Sequence, residues 1–137
     1  MKNLISVFVI ATTLISVGCA NEAQETEVAQ DTPKQKISGL KTPESVVQGK
    51  DGRIFISEIN EWDKADGQIT VIDTSGNASV FTKGLDDPKG LAIIGENLFV
   101  ADKNKIIKIT PDGKTSVFVA TEAFPVTPQF FNDLEAD

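Results

Sequence analysis

The sequence contains no histidine and a single cysteine, Cys19, and these shortages exclude several kinds of site. Without an imidazole there is no Ser-His-Asp or Cys-His catalysis and no histidine metal site. With one thiol there is no internal disulfide and no thiolate zinc centre. The 13 basic residues stand against 20 acidic ones, a net charge of −7, which argues against nucleic acid as a partner. Oxygen donors remain abundant, and calcium and magnesium prefer such ligands.

The start of the chain is typical of an export signal. A positively charged flank precedes an apolar run from Leu4 to Val17, and Cys19 follows after one glycine. The run is too short to span a bilayer comfortably. A cysteine in this place resembles a bacterial lipobox, although Ser16 stands where lipoproteins most often carry Leu. We therefore expect residues 1–18 to be a lipoprotein signal peptide and Cys19 to be acylated. The alternative is an ordinary signal peptide with an incidental cysteine.

The segment after the signal is polar. Residues 19–36 read CANEAQETEVAQDTPKQK, and so little apolar content predicts a disordered acidic tether. Acylated Cys19 would anchor this tether to a lipid bilayer, provided that several acyl chains are attached. Because Ala20 rather than Asp follows the cysteine, we expect a bacterial cell-envelope protein on the outer membrane, facing the periplasm.

The rest of the chain repeats an all-β pattern. Short runs of β-forming residues alternate with turn dipeptides, and no segment has a helical period. RIFISE at 53–58 is matched by NLFVAD at 97–102, and an insertion around 60–66 lengthens the first copy. Two further segments, 68–73 and 78–81, are matched by 105–110 and 115–118.

A repeated four-stranded unit of roughly 40 to 50 residues is typical of a β-propeller blade. We expect residues 37–137 to be all-β and to form part of a propeller: blade one about 40–87, blade two about 88–127, and the start of blade three at 128–137. The alternative is a plain β-meander. Since a propeller closes with about four to eight blades, we expect the N-terminal part of a longer protein. A short chain that oligomerises to complete the ring is the alternative.

Three residues fall at one equivalent place, the entrance of each repeat. They are Glu44, Lys89 and Asn132, spaced 45 and 43 residues apart. The first strand of each propeller blade lines the central channel, so these residues would converge near the axis. Glu44 and Asn132 supply oxygens suited to a divalent cation, but calcium takes about six to eight ligands. The alternative is that Glu44 bonds the next repeat's backbone and Asn132 stabilises a turn.

The stretches TPESVVQGKDGRIFISEI and FNDLEAD resemble the propeller family of gluconolactonase, regucalcin and luciferin-regenerating enzyme. The resemblance implies six blades, Glu44 as a metal ligand, Asn132 as the active-site Asn, and Asp133 in register with it at the substrate. It also implies calcium or another divalent cation, a small lactone or sugar-like ligand, and lactone hydrolysis by a metal-bound water. The expected general base lies beyond residue 137, so this portion alone would be inactive.

Two features depart from that family. Phe130 stands where several of its enzymes place an Arg that meets the substrate, and the stretch DDPKGLAIIGENLFVAD equally resembles propellers of the NHL-repeat type. Two hypotheses follow. One is a membrane-anchored, calcium-dependent lactone or ester hydrolase. The other is a non-catalytic propeller that serves as a periplasmic or surface binding platform.

The insertion EINEWDKADG carries the only tryptophan, Trp62. The loop is expected on the same face as Glu44, where Trp62 would roof a pocket or stack on a ring. The alternative is a solvated loop whose Trp packs on the edge of the sheet. Trp62, Phe130 and Asp133 are thus the candidate substrate contacts.

Overall fold

The computed structural model describes residues 36–136, which form two antiparallel four-stranded sheets and one short 3₁₀ helix. The predicted all-β class is confirmed. The predicted signal peptide, Cys19 and nearly all of the predicted tether lie outside the described residues. Within residues 36–136, no helix has the length and apolarity needed to cross a membrane.

Each sheet contains four strands in chain order. The first sheet comprises β1 (Pro43–Gln48), β2 (Ile54–Glu58), β3 (Gly67–Ile72) and β4 (Ala78–Leu85). The second comprises β5 (Pro88–Ile94), β6 (Asn97–Asp102), β7 (Lys105–Ile109) and β8 (Thr115–Val119), followed by the 3₁₀ helix Thr121–Ala123.

The same turn chemistry closes the last hairpin of both sheets. Gly76 and Gly113, which lie 37 residues apart, have φ of 86° and 81°, a region that favours glycine. The Gly76 N–H donates to the Asp73 carbonyl at 2.9 Å, and the Gly113 N–H donates to the Thr110 carbonyl at 2.8 Å. The sequence repeat therefore corresponds to a repeat in backbone conformation.

The two sheets share one apolar core. Strand β5 packs against the first three strands of the first sheet. The buried cluster draws on both sheets, with Phe55, Ile69, Val71 and Leu85 from the first and Leu91, Leu98, Val100, Ile107 and Ile109 from the second. Burial of each such side chain contributes about 1.5 to 3 kcal/mol, so the shared core holds the sheets together.

Aromatic pairs also repeat between the sheets. Phe55 and Phe81 meet edge to face with ring centroids 5.1 Å apart, and Phe99 and Phe118 do so at 4.8 Å. Phe99 is the sequence equivalent of Phe55. Each pair joins the second strand of a sheet to its fourth.

The sheets differ in one connection. Residues 59–66 link β2 to β3, whereas only Lys103 and Asn104 link β6 to β7. The insertion detected in the sequence is therefore this loop. Asn60, Asp63 and Ala65 have positive φ values of 63°, 57° and 53° within it.

Residues 128–136, placed by the sequence at the start of a third blade, carry no strand. They lie against the second sheet through two backbone hydrogen bonds, from Phe131 N–H to the Lys103 carbonyl at 2.6 Å and from Gly90 N–H to the Asn132 carbonyl at 3.2 Å. A strand needs a partner for its whole row of backbone groups, and these two bonds do not provide one.

Candidate functional site

The first strands of the two sheets, β1 and β5, each begin with a bulge. Pro43 lies opposite Glu58 and Pro88 lies opposite Asp102, and in each case one extra residue follows before regular pairing resumes. Glu44 is in the first bulge and Lys89 in the second. A bulge bends its strand and redirects a side chain. Residues 44 and 89 thus occupy corresponding positions in the two sheets.

The two bulge residues have different surroundings. Glu44 is exposed, and its carboxylate makes no hydrogen bond or ion pair with any residue in 36–136. Lys89 is only 8% exposed. Its Nζ lies 4.5 Å from the ring centroid of Trp62 and 5.2 Å from that of Phe130. Within the described part of the chain no carboxylate pairs with this ammonium, so the two rings stabilise it by cation–π interaction.

A cleft of about 320 Å³ opens at this point. It is built by the β2–β3 loop, the start of β5, the β6–β7 turn and the segment before Phe131. Its lining residues are Trp62, Asp63, Asp87, Lys89, Lys103, Gln129 and Phe130. Four separate parts of the chain therefore have to fold together to form it.

The β2–β3 loop is held over the second sheet by charged groups. The Asp63 N–H donates to Asp87 Oδ1 at 3.1 Å, and Lys103 Nζ donates to Asp63 Oδ1 at 2.6 Å. Lys103 Nζ also lies 3.7 Å from Asp87 Oδ2. Hydrogen bonding to Lys103 lowers the pKa of Asp63, and the same bond raises the pKa of Lys103. These bonds hold the neighbouring Trp62 beside Lys89.

The other wall of the cleft comes from the last described residues. Phe131 packs against Phe124 with centroids 4.9 Å apart, which supports the segment that carries Phe130. The chain passes so close to Gly90 that a Cβ there would lie 2.5 Å from the Asp133 Cα. A side chain at position 90 would therefore force the backbone at Asp133 to shift.

A buried hydroxyl fixes the backbone of Lys89 from beneath. Ser57 Oγ donates to the Lys89 carbonyl at 2.6 Å and accepts the Ser45 N–H at 3.0 Å. One alternative for Glu44 was that its side chain bonds the backbone of the next repeat. In the structure Ser57 makes that bond to the start of β5.

The acids at the ends of β2 and β6 have corresponding structural roles. Glu58 Oε2 accepts the Lys41 N–H at 2.6 Å, and Asp102 Oδ1 accepts the Asp87 N–H at 3.0 Å. Glu58 also accepts bonds from the side chains of Gln68 and Thr70. Burial raises the pKa of Asp102. Both carboxylates hold the chain that leads into the first strand of a sheet, β1 or β5.

The predicted site residues divide into two groups. The Lys89 ammonium lies against the rings of both Trp62 and Phe130, and both of these residues line the cleft. Glu44, Asn132 and Asp133 do not line it. Asn132 is exposed, and its backbone carbonyl accepts the Gly90 N–H. Asp133 Oδ1 accepts the Leu134 N–H at 2.8 Å. Throughout residues 36–136, no three acidic or cysteine side chains cluster in a way that would hold a metal.

Sequence reasoning treated Lys89 only as an entrance position and did not consider Asp87 as a lining residue. One signal was available for Lys89. It is the only charge in PKGLAII, a strand otherwise built from apolar residues and glycine. A lone charge in a strand of that composition indicates that the fold provides a specific contact for the side chain.

A second cavity, of about 340 Å³, lies at the opposite end of the sheets. It is mainly apolar, and Phe55, Phe81 and Ile93 are among its lining residues. Its Arg53 stacks over Phe55 and Phe81 and pairs with Asp51 at 2.6 Å. The Arg53 charge is thus paired with a carboxylate, in contrast to that of Lys89.

Comparison with protein-family models finds no match for this chain, and comparison with curated proteins also finds none.

Proposed function

We propose that the two sheets are consecutive blades of a β-propeller and that the protein is a lipid-anchored, calcium-dependent lactone or ester hydrolase of the gluconolactonase type. The observation that carries the proposal is the shared bulge at the start of β1 and β5, which puts residues 44 and 89 at corresponding positions. The matching strand order, turns and aromatic pairs support the blade interpretation.

The residues present fit part of a calcium site. The Glu44 carboxylate is exposed and bonded to no other described residue, so both of its oxygens are available to a hard cation. The Asn132 side chain offers an amide oxygen. Two such residues supply fewer than the about six to eight oxygens that calcium takes, so further ligands and water are required. When bound, the ion would polarise a carbonyl and lower the pKa of a water.

The cleft residues would act on the substrate by position. The Lys89 ammonium can donate hydrogen bonds to a carbonyl or carboxylate oxygen, and the rings of Trp62 and Phe130 limit the access of water to it. Asp63 and Gln129 line the same cleft and offer acceptors for hydroxyl groups. Together these residues would hold a small oxygen-rich ring in one orientation.

A non-catalytic binding platform is the second candidate. It is favoured by a specific contrast within the described residues, because they line an aromatic cleft around Lys89 and contain no cluster of three metal-ligating side chains. Such a protein would bind a small molecule at the cleft without hydrolysing it.

Hydrolysis of δ-gluconolactone separates the two candidates. We expect Glu44→Gln, or chelation of calcium, to lower kcat/KM at least about tenfold, since a metal ligand is lost. Glu122→Gln removes an exposed carboxylate from the 3₁₀ helix and is the matched control. Hydrolysis unchanged by both treatments would exclude the metal mechanism. The assay uses the complete protein, with the expected later blades and general base present, and no hydrolysis by its wild-type form with calcium would favour the platform.

The proposed lipid anchor has its own test. Metabolic labelling with a radioactive fatty acid should label the wild-type protein, and Cys19→Ser should abolish the label and release the protein from the membrane fraction. An unlabelled wild-type protein would instead favour the ordinary signal peptide.

A further inference from the structure

We infer that Lys89 is the anchor for the carboxylate of a small organic monoanion that binds in the cleft between Trp62 and Phe130. The inference deepens the proposed function, because lactone hydrolysis releases a hydroxy acid. It does not depend on the metal site or on catalysis.

The two lysines of the cleft differ in how their charges are paired. Lys103 is paired with Asp63 at 2.6 Å and lies near Asp87 at 3.7 Å, so its charge is matched by those two acids. Lys89 is mostly buried yet has no carboxylate partner among residues 36–136. Among the described residues, the Lys89 ammonium is not one of the enclosed polar atoms that lack a partner, and Lys89 lines the cleft, so the ammonium is accessible to a ligand there. The two aromatic rings stabilise the charge in part, and an anionic ligand would pair with it directly.

The charges and the volume of the cleft favour a small monoanion. The cleft holds one unpaired positive charge, and Asp63 and Asp87 line it as well. A monocarboxylate matches the single ammonium, whereas a phosphate dianion carries twice the charge and would face stronger repulsion from both acids. The volume of about 320 Å³ is at the small end of ligand pockets. These facts favour a carboxylate on a small body.

The Trp62 ring and the rim of the cleft offer contacts to the rest of the ligand. Trp62 is 54% exposed even though Lys89 lies against its ring, so much of the indole remains available for stacking. Asp63 and Gln129 at the rim accept hydrogen bonds from hydroxyl groups. A small hydroxy carboxylate satisfies the ammonium, the indole and these acceptors together.

Trp62 makes the inference measurable, because it is the only tryptophan in the chain and lies 4.5 Å from the ammonium. We would titrate the protein with sodium gluconate, glucose and inorganic phosphate in the presence of EDTA and follow Trp fluorescence. We expect a saturable response to gluconate that weakens with added salt. Glucose, which lacks the carboxylate, should bind at least about tenfold more weakly.

Variants test the role of the ammonium. Lys89→Met keeps the length of the side chain and removes the charge, and it should weaken gluconate binding at least about tenfold. Lys89→Arg should retain most of the binding. Lys83→Met removes an exposed lysine from β4 and is the matched control, expected to bind as the wild type does. Circular dichroism would check that each variant is folded. The gluconate–glucose comparison uses the wild-type protein alone, so it stands even if Lys89→Met does not fold.

Three results would overturn the inference: equal binding of glucose and gluconate, unchanged binding by folded Lys89→Met, or phosphate binding more than about tenfold tighter than gluconate. Because the titration contains no free calcium, its outcome is separate from that of the hydrolysis assay. Binding without hydrolysis would contradict the proposed hydrolase only, and hydrolysis without Lys89-dependent binding would contradict this inference only.

Discussion

Removal of the Ser57 hydroxyl should weaken the contact between the two sheets and lower the free energy of unfolding. Ser57 is 0% exposed, donates to the Lys89 carbonyl at 2.6 Å and accepts the Ser45 N–H at 3.0 Å. Ala101 occupies the equivalent position in the second sheet, so alanine fits the strand itself. Ser57→Ala thus tests the hydrogen bonds with little change in packing.

The expected magnitude follows from these two bonds. A buried polar group that loses its partner costs about 1 to 3 kcal/mol. The bond to the Lys89 carbonyl is buried and the bond from Ser45 is partly buried. We therefore expect a loss of about 2 to 4 kcal/mol in the free energy of unfolding, a large share of the about 5 to 15 kcal/mol typical of a domain.

Urea unfolding followed by circular dichroism measures this loss as a lower midpoint with an unchanged m value. Ser79→Ala, at an exposed position on β4, is the control and should stay within about 0.5 kcal/mol of the wild type. If Ser57→Ala also stays within that range, the buried hydroxyl does not join the sheets and the reasoning fails.

Three further predictions concern other contacts. Gly90→Ala should displace the segment at Asp133, because the new Cβ would lie 2.5 Å from its Cα, and faster amide exchange across that segment would report the displacement. Burial raises the pKa of Asp102 above 3.8, so its stabilising contribution is present below that pH and is lost as pH rises through the raised value. Asp102→Asn should therefore gain stability relative to the wild type as pH rises, and urea midpoints that change in parallel would contradict this. Carbon NMR should find the pKa of Asp63 below 3.8, and Lys103→Gln should return it toward that value. An unchanged Asp63 titration would show that the ion pair is absent in solution.

The sequence predicted the sheets better than the site because the two depend on contacts of different range. The turn at Gly76 and its counterpart at Gly113 are local features, set by positive φ and by a bond between residues three apart. The longer β2–β3 loop was likewise visible as an insertion. Trp62, Lys89 and Phe130 are separated by 27 and 41 residues, and no local rule brings them together. They meet because β5 packs on the first sheet and because Gly90 lets the last described segment approach.

The sequence by itself determined the strands, the turns, the repeat and the chemistries that a chain without histidine cannot perform. These follow from residue type and short-range spacing, which act before any distant contact is made. Tertiary structure alone decided that Lys89 and not Lys103 is left without a carboxylate among the described residues, since each lysine has an aspartate within two positions of it in the sequence. The physical reason is that pairing and desolvation depend on which groups the packed sheets bring within a few ångströms of each other.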